Sequence, residues 1–196
     1  MKVFRWPVVI VVGAVVAAVG FVGGYWDPVD HAAVDARHAA ARIELQADDV
    51  EGRVHGVTEL EQVIKQSPDD QPAVVTELTA FIRATTDAKD CRQVGRDVQT
   101  ALSVLARRQV GSDRGTVLDL HGTCLRNAEM ADISLVQANL AGANLGGANL
   151  TRAILDGADL QGTDLTAANL RDAHVVAANL TSAALDGART EGLHIG

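Results

Sequence analysis

The sequence predicts three parts in series: a membrane-spanning helix, an α-helical middle region and a C-terminal solenoid with square rungs. Three observations carry this expectation. From Leu120 to Ile195 every fifth residue but one is a hydrophobe. Residues 8–26 are an uncharged, largely apolar run. Between the two, apolar residues recur at helical spacing.

The five-residue period decides the C-terminal architecture. Leu120, Leu125, Met130, Leu135, Leu140, Leu145, Leu150, Leu155, Leu160, Leu165, Leu170, Val175, Leu180, Leu185 and Ile195 share one register, which Thr190 alone breaks. Two residues earlier the chain is mostly Ala, as at Ala138, Ala143, Ala148 and Ala158. Asn or Asp sits between, as in Asn139, Asn144, Asn149, Asp159 and Asp164. A helix needs apolar residues at i, i+3, i+4 and i+7, and a strand needs alternation. On a regular helix a period of five would leave half the leucines in water, and each buried Leu is worth about 1.5–3 kcal/mol. A chain that turns a corner every five residues puts every Leu inside, and four corners close a rung. Rungs then stack at about 4.8 Å. Ala, the second inward residue, is small because the leucines crowd the axis. Gly recurs two residues after the central Leu, as at Gly122, Gly142 and Gly147. It reaches positive φ cheaply, as a type II turn requires.

Through the segment ANLAGANLGGANLTRAILDGADLQGTDLTAANL, the chain resembles the pentapeptide-repeat family. The resemblance implies a right-handed quadrilateral β-helix over residues 118–196, of about four rungs. Ser134, Ile154, His174 and Ala184 depart from its Asn/Asp position. The fourteen residues Leu120 to Leu185 of the register are the expected structural core. The segment before the repeats resembles the helical region of actinobacterial membrane-anchored members. Family members pair through the end of the solenoid, which implies a homodimer through the uncapped C-terminal rung.

Residues 1–26 read as a cytoplasmic tip and a transmembrane anchor. Nineteen helical residues from Val8 to Trp26 span about 29 Å, close to the hydrocarbon thickness. Trp6, Tyr25 and Trp26 are placed as interfacial anchors. A cleavable signal peptide is the rival, but its apolar core is shorter and a small-residue cleavage site follows it. Lys2 and Arg5 precede the run, and Arg37 and Arg42 are the nearest following cations. The positive-inside rule then gives a single-pass protein of the bacterial cell membrane, with the N-terminus inside and the bulk outside. The bilayer is the expected partner of residues 8–26.

Residues 27–110 read as helices that cap the solenoid, whose open end needs covering. Val50, Val54, Val57, Leu60 and Ile64 trace one face, and Val74, Val75, Leu78, Phe81 and Ile82 trace the next. Asp70 is placed to cap the second of these, with Pro72 in its first turn. A third helix carries Cys91, Val94, Val98, Leu102 and Leu105. Residues 111–117 read as a hinge.

Chemistry is sparse. His31, Asp35 and His38 share a helix face that could hold a metal ion given a fourth ligand; a solvated polar face is the plainer reading. His121, His174 and His194 are expected on different faces. Cys91 and Cys124 are in no paired motif and read as independent thiols. A disulfide between them would tie the cap to the first rungs, in an oxidising compartment. No nucleophile, phosphate-loop or zinc-protease motif occurs. No catalytic residue, cofactor or metal is therefore assigned, and the expected role is a non-enzymatic, membrane-tethered scaffold for an unidentified protein. The net charge of −8 and 3% aromatic content disfavour direct nucleic-acid binding. One alternative is a DNA-mimicking inhibitor of a type II topoisomerase, since the repeats hold nine acids against four arginines. The other is an enzyme with a His/carboxylate site in the helical region.

Overall fold

A computed structural model describes residues 30–86 and 91–196. Four helices come first: α1 (His31–Glu44), α2 (Val50–Gln66), α3 (Gln71–Thr85) and α4 (Arg96–Arg107). Short 3-10 turns at Pro68–Asp70 and Val110–Ser112 precede α3 and follow α4. Asp30 and Asp49 cap α1 and α2 by accepting from Ala33 N (3.2 Å) and Gly52 N (2.7 Å). Asp70 stands at the N-cap of α3, but its side chain makes no cap hydrogen bond, which corrects the sequence expectation. The preceding 3-10 turn already sets the direction of entry. Cys91 and Val94 also lie before α4 rather than on it.

The membrane-spanning helix expected over 8–26 lies outside the described residues. Among those described, no helix is long and apolar enough to cross a membrane. The longest, α2, has 17 residues and carries Glu51, Arg53, Glu59, Glu61 and Lys65. Glu51 and Lys65 face water, Arg53 and Glu61 pair with Asp97 and Arg107, and the apolar stripe faces the other helices. Among the described residues the fold is therefore corrected to a helical region followed by a coil, and no described helix supports the expected single-pass membrane location.

The coil corrects the expectation in a second way. Its rungs are joined by isolated parallel bridges between residues twenty apart, such as Asp119↔Asn139, Asn139↔Asp159 and Asn149↔Asn169, and not by strands. The physical reason is the corner frequency. Leu125 O accepts from Ala128 N (3.1 Å) and Leu140 O from Ala143 N (3.0 Å), so a turn closes after each central residue and only the Asn/Asp position forms a bridge. The turn needs positive φ two residues after the centre. Gly142 supplies it at φ 65, but Asn127 (57), Asp132 (60), Gln137 (56) and Arg152 (56) adopt it too. Those four carry strain that the ladder on either side holds in place.

Of the fourteen expected core residues, twelve from Leu120 to Val175 are at most 6% exposed. Leu180 is half-buried, and Leu185, at 40% exposed, is not core. Among the described residues no rung stacks above it. The second inward row is buried as well, including Ala138, Ala148 and Ala158. Thr123 and Thr163 take this place in two rungs and satisfy their hydroxyls by donating to Leu120 O (2.7 Å) and Leu140 O (2.9 Å).

The helices and the coil share one buried apolar cluster. Arg83 Nη1 on α3 donates to Asp119 Oδ2 (2.5 Å), and Gln99 on α4 bonds the backbone of Glu129 through both amide atoms. Cys91 and Cys124 form a disulfide, with Cα atoms 5.1 Å apart. The expectation of independent thiols is thus overturned. Cys124 takes the Asn/Asp position of the first rung, and the segment entering α4 passes beside it. The bond closes a sequence separation of 33 residues, which the chain-entropy relation values at about 3–4 kcal/mol. Reduction, or Cys91→Ser with Cys124→Ser, is expected to lower the melting temperature by on the order of 10 °C. Thermal unfolding followed by circular dichroism with and without reductant measures it.

Candidate functional site

The coil presents four sides built from outward residues, and they differ in chemistry. The column Asp119, Asn139, Asp159 and Asn179 alternates carboxylate with amide. Asn139 Nδ2 donates to Asp119 Oδ1 (3.1 Å) and Asn179 Nδ2 to Asp159 Oδ1 (2.9 Å). The column Asp132, Arg152 and Asp172 alternates charge, and Arg152 holds Asp132 through two bonds of 2.7 and 2.6 Å. Arg152 keeps the Asp132 carboxyl below the usual carboxylate range. These sides spend their polar groups on themselves.

Another side carries Asn144 and Asp164 in one bridged column, and the fourth side is apolar. All four outward positions of the coil with an exposed large hydrophobe fall on it: Val117, Val136, Ile154 and Val176. Ser134, Ile154, His174 and His194 are bridged in one column. Val136, Asp156 and Val176 stand twenty apart in the next. Asp156 is the one carboxylate among these positions, and its Oδ1 accepts from Val176 N (2.9 Å). A small cleft of about 140 Å³ lined by Val110, Val117, Val136 and Gln137 continues the strip toward the helices. The sequence signal for this strip was present, since Ile154 and His174 depart from the Asn/Asp rule. It goes unread until residues twenty apart are aligned.

The helical region offers polar chemistry that is paired off locally. His38 Nε2 lies 2.8 Å from Glu77 Oε2, and His55 Nδ1 lies 2.5 Å from Glu44 Oε2. The hydrogen bond to Glu44, helped by its charge, raises the His55 pKa. His121 Nδ1 is 2.6 Å from Asp119 Oδ1. Partial burial pushes the Asp119 carboxyl up, but bonds from His121 and the Arg83 charge outweigh it and leave the group below its ordinary value. His38 and His55 therefore meet different carboxylates and do not converge. Among the described residues no group of His, Cys, Asp and Glu could hold a metal ion with three or more ligands, so His31, Asp35 and His38 are not brought together as one. A cleft of about 390 Å³ beside α2 and α4 is lined by Glu61, Lys65, Gln71 and Arg107. Arg107 Nε (2.9 Å) and Lys65 Nζ (3.5 Å) both hold Glu61. Burial raises this carboxyl, and the two cations bring it below its usual range.

Residues 133–172 match the Pentapeptide repeats family in eight copies. No curated protein matches the chain. Among solved structures, the chain is similar to Rfr23, a pentapeptide repeat protein from the cyanobacterium Cyanothece 51142. Identity is 30% over 40% of this chain and 54% of that one, with a TM-score of 0.22. It is similar to HetL, a pentapeptide repeat protein involved in heterocyst differentiation regulation from Nostoc sp. strain PCC 7120, at 36% identity over 35% of this chain and 37% of that one, with a TM-score of 0.16. It is also similar to alr5209 from Nostoc PCC 7120, at 29% identity over 40% and 84% of the two chains, with a TM-score of 0.21. The chain thus spans about half of Rfr23 and less of HetL. Proteins built on these repeats are generally interaction or scaffold modules and generally non-enzymatic. Residues 133–172 of this chain are thus pentapeptide repeats, in the register that the rest of the coil shares.

Proposed function

We propose that the chain is a non-enzymatic scaffold whose coil docks a protein on its apolar side. The observation that carries this is that Val117, Val136, Ile154 and Val176, exposed at outward positions, fall on one side of the rod. Contiguous exposed apolar surface marks interaction sites. A rod locked by a ladder at every rung offers that surface with little ordering cost on binding. The fitting partner has a neutral, apolar patch about 19 Å long, the height of four rungs at the sheet spacing.

The topoisomerase alternative is disfavoured by the columns themselves. A phosphate mimic needs rows of free carboxylates, and here Arg152 neutralises Asp132 while amides occupy every second place beside Asp119 and Asp159.

The test is capture by the immobilised full-length chain from lysate of its own source, read by mass spectrometry. Ile154→Lys and Val136→Lys are expected to weaken capture of a specific protein about ten-fold or more. Asp186→Lys, on the opposite side and exposed, is expected to leave it intact. Equal capture by all variants would overturn the assignment of this side.

A further inference from the structure

The apolar side also holds a histidine pair. His174 and His194 are twenty residues apart and share a bridge, so the spacing that was expected to separate them stacks them instead. Their ring centroids are 4.4 Å apart and the rings are tilted by 36°. Both backbones are fixed. His174 N donates to Ala153 O (2.9 Å) and its carbonyl accepts from Leu155 N (2.7 Å). His194 N donates to Ala173 O (2.9 Å) and its carbonyl accepts from Val175 N (2.9 Å).

Three other histidines, His38, His55 and His121, each place a ring nitrogen against a carboxylate. Neither His174 nor His194 has a hydrogen-bonding or ionic partner among the described residues, apart from each other's ring. Their nitrogens are uncommitted, and the two side chains leave the coil in parallel from adjacent rungs.

We propose that His174 and His194 form a two-point clamp for a divalent transition-metal ion of the Zn²⁺, Ni²⁺ or Cu²⁺ class. Neutral imidazole is a common ligand of these ions, with metal–nitrogen distances of about 2.0–2.1 Å. Two such nitrogens on one ion stand roughly 3–3.4 Å apart. Side chains based on rungs about 4.8 Å apart reach that separation by rotation about χ1 and χ2, with no movement of the backbone. The clamp supplies two ligands, and water or a donor outside the chain fills the other positions. It is therefore an open, exchangeable site, distinct from a four-ligand structural zinc. Apolar Ile154 and Val176 beside the rings limit competing hydration at the base of the site. Preference follows the ligand type: Cu²⁺ and Ni²⁺ bind ahead of Mn²⁺, and carboxylate-seeking Mg²⁺ and Ca²⁺ do not compete.

Calorimetric titration of the full-length chain with NiCl₂ and ZnCl₂ at pH 7.5 tests this. One ion per chain with micromolar affinity is expected, weakened about ten-fold or more by His174→Ala and by His194→Ala, with MgCl₂ giving no competition. The substituted side chains are outward, so melting temperatures should match the parent chain. Selective broadening of the His174 and His194 ring signals by Ni²⁺ in NMR spectra is the second readout. Isotherms unchanged in both variants, or broadening at His31, His38, His55 or His121 instead, would overturn the clamp.

Discussion

Leu150→Asp is expected to destroy cooperative folding of the coil. Leu150 has no solvent exposure and stands twenty residues from both Met130 and Leu170, which are 1% and 2% exposed. A carboxylate there has no hydrogen-bond donor within the column and no route to water. An unpartnered buried charge costs several kcal/mol even after relaxation, and a loss above about 5 kcal/mol consumes most of a domain's stability. Two comparisons isolate burial from chemistry. Leu185→Asp occupies the same repeat position, but that residue is 40% exposed, so about 1 kcal/mol is expected. Thr151→Asp points outward, and the sequence alone suggests no effect. The structure adds a small penalty of about 1 kcal/mol, because Thr151 Oγ1 donates to Asn149 Oδ1 (2.6 Å) and accepts from Asn169 Nδ2 (2.9 Å). Thermal and urea unfolding of the three variants gives the ranking; similar losses at Leu150 and Thr151 would mean the inward register is wrong.

Arg108→Ala should be the most damaging change at the joint between helices and coil. The Arg108 side chain is 2% exposed. Its guanidinium donates to Asp113 Oδ2 (2.9 Å), Leu105 O (2.6 Å) and Ser134 O (2.9 Å). It therefore ties the end of α4, the following turn and the first rung with one planar fork. Asp113 Oδ1 accepts from Gln71 Nε2 (2.6 Å), which brings in the start of α3. Removing the cation strands Asp113 and two carbonyls, at a cost of about 3–5 kcal/mol. Arg108→Lys keeps the charge but not the fork and should recover only part of the loss. Arg108→Met combined with Asp113→Leu should be milder than Arg108→Ala alone, since no uncompensated charge remains. Calorimetric melts of the three variants measure the order, and a double variant worse than the single one would refute the account.

The joint shows where sequence reading stops. Residues 111–117 read as a hinge because of their glycines, yet Asp113 within them is 6% exposed and anchored. Nothing in local spacing links Arg108 to Ser134 or Gln71 to Asp113. The Cys91–Cys124 bond is the same kind of feature. Two cysteines 33 residues apart have no local signature, and only the passage of one segment beside the first rung makes them neighbours. The His174–His194 stack was legible in principle, since a twenty-residue rung places them in one column. Treating each histidine singly hides it.

The five-residue period of Leu and Ala by itself determined the coil, its inward register and its corners, because only one backbone path buries every central residue. It could not determine how far the core extends or how the rungs are joined. Burial at Leu185 depends on whether another rung lies above it. Single bridges replace strands because corners follow each other too closely. Which helix meets which rung, which charges are buried together and which side stays apolar are properties of residues brought together across long separations, and tertiary packing alone decided them.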